Sequence, residues 1–173
     1  MKVQRTIRAE TSRDAPAIRW VHQLAFGDDS AGRLVDELRK EDLSVISLVA
    51  EQSGQIVGHA LFSRIQGPMR TLQLAPVGVH PTVQRCGIGS ELIRTGLEQA
   101  TQRRWQAVFV LGDPVYYKRF GFSSRAANGY TSPYGGVGFM AQLLDKQAPT
   151  SGVLVYPPAW NEDIQEHQKK RPQ

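Results

Sequence analysis

The feature that most constrains this chain is a glycine-rich connection between an apolar extended segment and an amphipathic helix. Residues 84–90 read Gln-Arg-Cys-Gly-Ile-Gly-Ser, and they follow the apolar segment 71–79. Apolar side chains then recur at helical spacing, which predicts a helix from about residue 87 to residue 103. The order strand, glycine loop, helix predicts an α/β protein whose loop lies at a helix N-terminus.

Such a loop is suited to binding an anion. A helix N-terminus leaves backbone N–H groups without partners and carries a partial positive charge. Gly87 and Gly89 allow an anion to approach the backbone closely, while Arg85 adds a guanidinium group and Ser90 a hydroxyl. A glycine-rich turn without a ligand is the alternative interpretation.

The spacing of the loop distinguishes between known phosphate-binding motifs. A Walker-type loop requires a lysine after its last glycine, and none is present here. A dinucleotide-binding fingerprint requires a third glycine where Leu92 stands. The pattern Gln/Arg-x-x-Gly-x-Gly/Ala fits residues 84–89 completely.

The segment before the loop is an unusual strand. It contains Pro76, which cannot donate a hydrogen bond to a neighbouring strand, and Gly78, which weakens a strand. Together they predict a bulge or a splayed strand in residues 71–79. His80 ends the strand, because a residue before proline avoids the helical region.

The rest of the chain alternates strands and helices. Strands are predicted at residues 3–9, 45–51, 55–65, 107–111, 139–144 and 152–156. A helix begins at a cap formed by residues 11–14, a second ends near Lys40, and a short one runs from Asp113 to Gly121. The first helix has an apolar stripe of Ile18, Val21, His22 and Ala25. We expect a long loop at 123–138, fraying from Trp160 onward, one domain over residues 1–160 and a flexible polar tail over 161–173.

Composition narrows the function classes. The single cysteine, Cys86, excludes an internal disulfide and a thiolate zinc cluster, and no stretch approaches 18 apolar residues. With a charged N-terminal segment, these features predict a cytoplasmic protein. Of the net charge of +5, residues 64–125 carry +6. This basic segment suits a phosphate-bearing cofactor or a nucleic acid, or it is an uneven solvated surface.

The sequence resembles the GNAT superfamily of N-acetyltransferases over about residues 3–156. The resemblance is carried by residues 74–81 (Leu-Ala-Pro-Val-Gly-Val-His-Pro), the glycine loop and residues 117–122 (Tyr-Lys-Arg-Phe-Gly-Phe). Residues 110–122 are similar to an uncharacterised bacterial subgroup of that superfamily. The resemblance implies an α/β fold with a mixed central sheet, splayed between strands 4 and 5, and helices on both faces.

The resemblance also implies the chemistry. Acetyl-CoA is the expected cosubstrate, with no metal, and an amine attacks its thioester directly. The pantetheine would lie along the backbone of Val77 and Val79, and a strand amide would polarise the acetyl carbonyl. The implied cofactor-binding set is Val77, Val79, Gln84, Arg85, Cys86, Gly87, Ile88, Gly89 and Ser90. In this set Cys86 is interpreted as structural filler at a variable position.

Tyr117 is the candidate general acid for the departing thiolate, with a packing tyrosine as the alternative. Tyr116 points about 100° away on a helix and is interpreted as structural. No general base is assigned, since residues 71–79 contain no carboxylate and His80 is interpreted as a strand terminator. Three acids, Asp28, Asp29 and Glu37, lie in the helix 1–helix 2 region that borders the acceptor site in GNAT relatives. They either recognise a cationic amine or belong to a solvated turn.

Three functions remain open from the sequence. The first is acetylation of a small-molecule or peptide amine, the second is non-catalytic binding of acyl-CoA, and the third is acetylation of charged tRNA. The absence of alternating aromatic and basic residues disfavours a nucleic-acid partner. No membrane partner is expected, and a homodimer is left open because the acceptor pocket of GNAT proteins is often completed by a second subunit.

Overall fold

The computed structural model describes residues 3–160. Its strands are β1 (Arg5–Ala9), β2 (Ser44–Gln52), β3 (Gln55–Ile65), β4 (Thr71–Val79), β5 (Ala107–Leu111), β6 (Tyr130–Thr131), β7 (Phe139–Leu143) and β8 (Gly152–Val153). Its α-helices are α1 (Ala15–Phe26), α2 (Ser30–Lys40), α3 (Ile88–Gln102), α4 (Pro114–Tyr117) and α5 (Ser124–Ala127). Short 3₁₀ turns occupy Ser12–Asp14, Pro81–Val83 and Lys118–Phe120.

Six strands form one mixed sheet in the order β1-β2-β3-β4-β5-β7. The β4–β5 pair is parallel, whereas the other neighbours are antiparallel. The parallel pairing runs from Thr71 opposite Ala107 to Leu74 opposite Val110, and then stops. The second half of β4 is thus separated from β5, as the prediction of a sheet splayed between strands 4 and 5 requires.

The predicted irregularity in β4 is confirmed at the proline. Opposite β3, Ala60 pairs with Val77 and Phe62 pairs with Leu74, so that two residues of β4 lie between these pairs and only one of β3. The extra residue is the bulge expected of a strand that contains proline. It lies beside the point where β4 and β5 separate.

Helices cover both faces of the sheet, as predicted. α3 packs on one face, where its apolar side chains join those of Leu72, Leu74, Val77 and Val79 in the largest buried cluster. α1 and α2 pack on the other face, where Ile18, Leu34 and Leu38 contact Leu61 and Ala75. Alternate residues of β4 therefore face different helices, because successive side chains of a strand point to opposite faces.

The sequence predictions were less accurate after β5. Residues 123–138, predicted to be one long loop, contain α5 and β6, and Ser123 caps α5 by accepting a hydrogen bond from the N–H of Ala126. The predicted strand 152–156 is shorter: β8 pairs with β6 in a separate two-stranded sheet. Both errors arise because these elements are too short for a periodic pattern.

Trp160 also differs from its prediction. It is only 6% exposed and packs against Tyr156, with ring centroids 5.6 Å apart, whereas the sequence predicted fraying from this residue. The predicted flexible tail, 161–173, lies outside the described residues. The single-domain assignment stays a prediction.

The predicted cap of the first helix is present and is held by an ion pair. Oδ2 of Asp14 accepts hydrogen bonds from the amide and hydroxyl of Thr11, at 2.7 and 3.1 Å. Both carboxylate oxygens of Asp14 also accept from Arg8. The hydrogen bond from Arg8 is the main reason why the pKa of Asp14 is lowered to about 2.

We expect Asp14→Asn to lower the free energy of unfolding by about 1–2 kcal/mol at neutral pH. Because the folded pKa of Asp14 is depressed, its contribution is complete above the unfolded pKa near 3.9 and is lost as the pH falls toward 2. Urea unfolding of both proteins at several pH values would measure this. A difference that stays constant down to the lowest pH would contradict the assignment.

Candidate functional site

A cavity of about 260 Å³ lies at the N-terminus of α3. Its lining consists of Val79, Gln84, Arg85, Gly87, Ile88, Gly89, Ser90, Tyr116 and Arg119. These residues include two guanidinium groups and no carboxylate. Together with the positive end of the α3 dipole, they make the cavity suited to an anion.

The backbone of the loop has the curvature of an anion-binding concavity. Arg85 and Gly87 both have left-handed φ angles, of 62° and 81°. Turns through left-handed residues direct successive N–H groups toward one side. At Gly87 a side chain would meet nothing within 4 Å, so the glycine is required by its conformation and not by space.

Arg5 on β1 ties this loop to the sheet. Its Nη1 donates to the carbonyl of Cys86 at 3.4 Å, and its Nε donates to Glu91 in the first turn of α3 at 3.0 Å. The same side chain thus restrains both the loop and the start of the helix.

The free edge of β4 presents backbone groups without a strand partner next to this cavity. The amide of His80 donates to the carbonyl of Val57 on β3, at 2.8 Å. Because positions in an antiparallel pair alternate, the backbone groups of Val77 and Val79 point away from β3, toward the gap left by β5. Nε2 of Gln84 donates to the carbonyl of Val79 at 3.0 Å and joins this edge to the loop.

Most of the predicted cofactor-binding residues therefore meet at one place. Val79, Gln84, Arg85, Gly87, Ile88, Gly89 and Ser90 all line the cavity. Val77 lies at the free edge of β4, with its side chain in the core beneath α3. Cys86 does not line the cavity; it is exposed, and its Sγ lies 3.5 Å from the carbonyl of Gln84.

Sequence reasoning missed two residues of the cavity, Tyr116 and Arg119. The guanidinium of Arg119 lies 4.4 Å from the ring centroid of Tyr116, and its Nε donates to the carbonyl of Tyr116. Burial raises the pKa of Tyr116, and a hydrogen bond with Ser90 partly opposes that effect. The interpretation of Tyr116 as purely structural therefore overlooked its contact with the anion cavity. Its i,i+3 spacing to Arg119 was the available signal.

Tyr117 packs edge-on against Tyr116, with ring centroids 5.0 Å apart; it is only 7% exposed and is not among the residues that line the cavity. A side chain on Gly112 would come within 2.5 Å of its ring, so this glycine leaves room for the tyrosine. Burial is the main reason that the pKa of the Tyr117 phenol is raised above its usual value, and the neighbouring Tyr116 and Asp113 add to the effect. The phenol is thus protonated at neutral pH, the form in which it can donate a proton.

On the opposite face of β4 the structure contains a buried histidine pair that the sequence did not predict. Nε2 of His22 on α1 lies 2.8 Å from Nδ1 of His59 on β3, and both residues are fully buried. Nε2 of His59 lies 2.7 Å from Oγ of Ser47, which donates to Glu10 at 2.5 Å. The helical spacing predicts that His22 lies in the buried stripe of α1, which is correct. The spacing cannot predict a hydrogen-bond partner on another element.

The ionisation of this group follows from its burial. Burial lowers the pKa values of both histidines; repulsion from His59 lowers that of His22 further, whereas Glu10 partly opposes the effect at His59. For Glu10, burial favours the protonated form, but hydrogen bonds with His59, Arg39 and Ser47 outweigh burial and lower its pKa. At neutral pH the group therefore consists of a carboxylate and two neutral imidazoles.

Among residues 3–160, no group of three or more histidine, cysteine or acidic side chains is placed to hold a metal ion. Within the same range, no helix is both long and apolar enough to cross a membrane.

Comparison with known proteins identifies the family. Residues 11–122 match the acetyltransferase (GNAT) family. The chain belongs to the GNAT family. This confirms the resemblance stated from the sequence, and with it the predicted fold class.

Relatives of this GNAT protein include two from Escherichia coli. The uncharacterised N-acetyltransferase YjhQ is 40% identical over 130 residues, covering 70% of this chain and 71% of YjhQ. The crystal structure of E. coli YhbS in complex with CoA has a TM-score of 0.85, with 27% identity and coverage of 92% and 93% of the two chains. A GNAT acetyltransferase from Brucella melitensis in complex with acetyl-CoA has a TM-score of 0.79, with 33% identity and coverage of 91% and 99%.

Proposed function

We propose that this protein transfers an acetyl group from acetyl-CoA to an amine of a small molecule or peptide. The observation that carries the proposal is the continuity between the anion cavity at α3 and the free backbone edge of β4. One end of this surface suits a pyrophosphate and the other suits an amide-containing arm. Both similar structures described above contain CoA or its acetyl ester.

The proposed roles follow from the positions of the residues. Backbone amides of residues 85–90, together with the Arg85 side chain, would bind the pyrophosphate. Arg119, stacked on Tyr116, would add a second cation on the far side of the cavity. The backbone groups of Val77 and the amide of Val79 would pair with pantetheine as a neighbouring strand does, since β5 leaves them without a strand partner, whereas the carbonyl of Val79 already accepts from Gln84.

The proposed reaction is a direct transfer. The amine nitrogen attacks the thioester carbonyl, a new C–N bond forms, and the C–S bond breaks. A β4 amide at the splay would stabilise the oxyanion, and Tyr117 would donate its proton to the departing thiolate. No covalent enzyme intermediate is needed, because the acceptor itself is the nucleophile.

For Tyr117→Phe we expect kcat to fall by about 100-fold with little change in the affinity for acetyl-CoA. The substitution removes only the hydroxyl, and the ring retains its edge contacts with Tyr116 and Phe122. Steady-state kinetics would give kcat, and calorimetry would give the affinity. Tyr130→Phe, a buried tyrosine outside the cavity, is the matched control. Unchanged kcat would reassign Tyr117 to packing.

The function itself is tested by incubating the protein with acetyl-CoA and a panel of amines. The panel would contain a polyamine, amino-acid amides, an aminoglycoside and lysine-containing peptides, with mass spectrometry of the products and detection of released thiol. Acetylation of an amine supports the proposal. Tight binding of acetyl-CoA without transfer to any amine would instead identify a non-catalytic acyl-CoA-binding protein.

Some arginines of the basic segment have packing roles. Arg70 lies 4.4 Å from the ring centroid of Trp105, and Arg94 lies 5.1 Å from that of Phe120. Arg85 and Arg119 face the anion cavity. The cosubstrate therefore accounts for part of the basicity that suggested tRNA.

Binding to tRNA that weakens steeply with salt would restore that alternative. A cytoplasmic location and formation of a homodimer remain parts of the proposal.

A further inference from the structure

We propose that His22 is the general base that receives the proton of the attacking amine, and that His59, Ser47 and Glu10 are positioning residues that orient it. This inference rests on the proposed acetyl transfer. It assigns a base where residues 71–79 offer no carboxylate.

The four side chains form one continuous hydrogen-bonded chain that joins a helix, two strands and the residue after a third strand. It runs from His22 on α1 through His59 on β3 and Ser47 on β2 to Glu10, which follows β1. At its outer end, Nε and Nη2 of Arg39 donate to the two oxygens of Glu10, at 2.9 and 3.1 Å. The chain thus begins in the core and ends at a partly exposed ion pair.

The carboxylate determines the direction of every hydrogen bond in this chain. Ionised Glu10 can only accept, so Ser47 donates its single proton to it. Ser47 must then accept from Nε2–H of His59, which leaves Nδ1 of His59 as an acceptor. His22 therefore donates from its Nε2–H, and Nδ1 of His22 carries a lone pair.

That lone pair faces β4. Nδ1 of His22 is buried and has no hydrogen-bond partner among the described residues. On β4 it faces Gly78, where an added Cβ would lie only 2.5 Å from this nitrogen. Gly78 separates Val77 from Val79, the two residues whose backbone groups point into the proposed pantetheine gap. A basic nitrogen is thus placed directly behind the strand on which the acetyl group would be held.

A structural role for the pair would predict a different arrangement. Buried polar atoms are nearly always hydrogen-bonded, and leaving an acceptor without a partner costs about 1–3 kcal/mol. If His22 and His59 served only to join α1 to β3, the hydrogen bond from Nε2 of His22 would be sufficient. The unpartnered Nδ1 of His22 would then contribute nothing to stability. Proton transfer would use that atom. Because His22 is fully buried, the proton of the amine would reach Nδ1 through a water admitted beside Gly78, and that water would supply the missing hydrogen bond.

The proton balance is simple. The amine loses a proton to Nδ1 of His22, and the Nε2 proton can then move along the chain to His59 and outward. Glu10, ionised at rest, stabilises the cation that forms and then accepts the proton that Ser47 passes on. The charged groups near His59 are Glu10 and Asp14, which favour the cation, and Arg39, which opposes it; the charge acting on His22 is that of His59. Glu10, with 16% of its side chain exposed, returns the proton to solvent.

The first experiment examines the tautomers directly. Nitrogen-15 NMR of histidine-labelled protein, without acetyl-CoA, should show His22 and His59 as neutral imidazoles protonated at Nε2. A His22 protonated at Nδ1 would overturn the proposal, since no lone pair would then face β4. This result does not depend on activity, so it separates the relay from the proposed acetyl transfer.

The second experiment uses His22→Gln with acetyl-CoA and the amine of the panel that is acetylated fastest. Glutamine can still donate a hydrogen bond to His59, but it has no basic nitrogen. We expect kcat/KM to fall by about 100-fold, with the affinity for acetyl-CoA unchanged. In the wild type, the pH profile of kcat/KM should contain an acid limb in addition to the one set by protonation of the amine itself. In His22→Gln this additional limb should disappear. His80→Gln, whose imidazole accepts from Thr82 at the end of β4, is the matched control.

Glu10→Gln tests the positioning role. Loss of the carboxylate removes a charge that favours protonated His59, so the acid limb should move to lower pH while the affinity for acetyl-CoA is retained. If His22→Gln keeps wild-type kcat/KM and its acid limb, the relay is structural and the inference is wrong. If the wild-type protein acetylates no amine, the proposed function itself is wrong. If the wild type and the His22→Gln variant are both active, only the inference about His22 is wrong.

Discussion

Replacing Ser90 with glutamate is expected to weaken the binding of acetyl-CoA by at least about 100-fold. Ser90 lines the anion cavity, in the first turn of α3, together with Arg85 and Arg119. A carboxylate at this position would occupy the place of the pyrophosphate and repel it. Like charges brought together at an interface cost several kcal/mol, and 2.7 kcal/mol already corresponds to about 100-fold. Calorimetric titration with CoA would measure the change.

The same substitution should not destabilise the protein. An acidic side chain in the first turn of a helix interacts favourably with the helix dipole, so the melting temperature should stay equal or rise slightly. Ser124→Glu makes the identical change in the first turn of α5, away from the cavity, and should bind CoA as the wild type does. Wild-type affinity in Ser90→Glu would place the pyrophosphate elsewhere and remove the main support for the proposed function.

Replacing Gly96 with alanine is expected to lower the free energy of unfolding by about 1–2 kcal/mol. Gly96 lies in the middle of α3, where helix propensity alone would favour alanine by about 1 kcal/mol. The added Cβ, however, would lie only 2.1 Å from Cε2 of Phe62, which is fully buried on β3. Because the ring is enclosed by the core, α3 must move away from the sheet, and overpacking of this kind typically costs about 1–3 kcal/mol, occasionally more.

Urea unfolding at constant pH would measure this loss. Thr95→Ala, at the adjacent and partly exposed position of α3, makes a similar gain in helix propensity without the contact, and its stability should equal or exceed that of the wild type. If Gly96→Ala is as stable as Thr95→Ala, then α3 does not pack on Phe62 as closely as the structure shows.

Local chemistry made part of the site predictable. The glycine loop, the bulge at Pro76 and the cap at Thr11 and Asp14 each depend on residues close together in sequence, and each was identified correctly. Their physical causes, such as a left-handed φ or the missing N–H of proline, act within a few residues. The predicted roles of these residues toward acetyl-CoA remain proposals.

The features that could not be predicted depend on contacts between distant elements. The predicted stripe of α1 is confirmed, and His22 is buried within it, but no sequence pattern indicates that its partner is His59 on β3. Their pairing depends on the crossing of α1 over the sheet, between residues 37 positions apart. The structural role predicted for Tyr116 rested only on its direction relative to Tyr117. In the folded protein Tyr116 lines the cavity together with residues of the α3 N-terminus.

The sequence by itself determined that this chain has a glycine loop suited to an anion at a helix N-terminus, after a strand that cannot pair regularly. Those properties belong to the backbone and are set by glycine and proline. Only the tertiary structure decided which side chains complete the site, because an imidazole chain buried between α1, β2 and β3 requires elements that are distant in sequence to pack together. The glycine loop therefore marks where a cosubstrate would bind, while the buried histidines mark where the proton of the reaction would go.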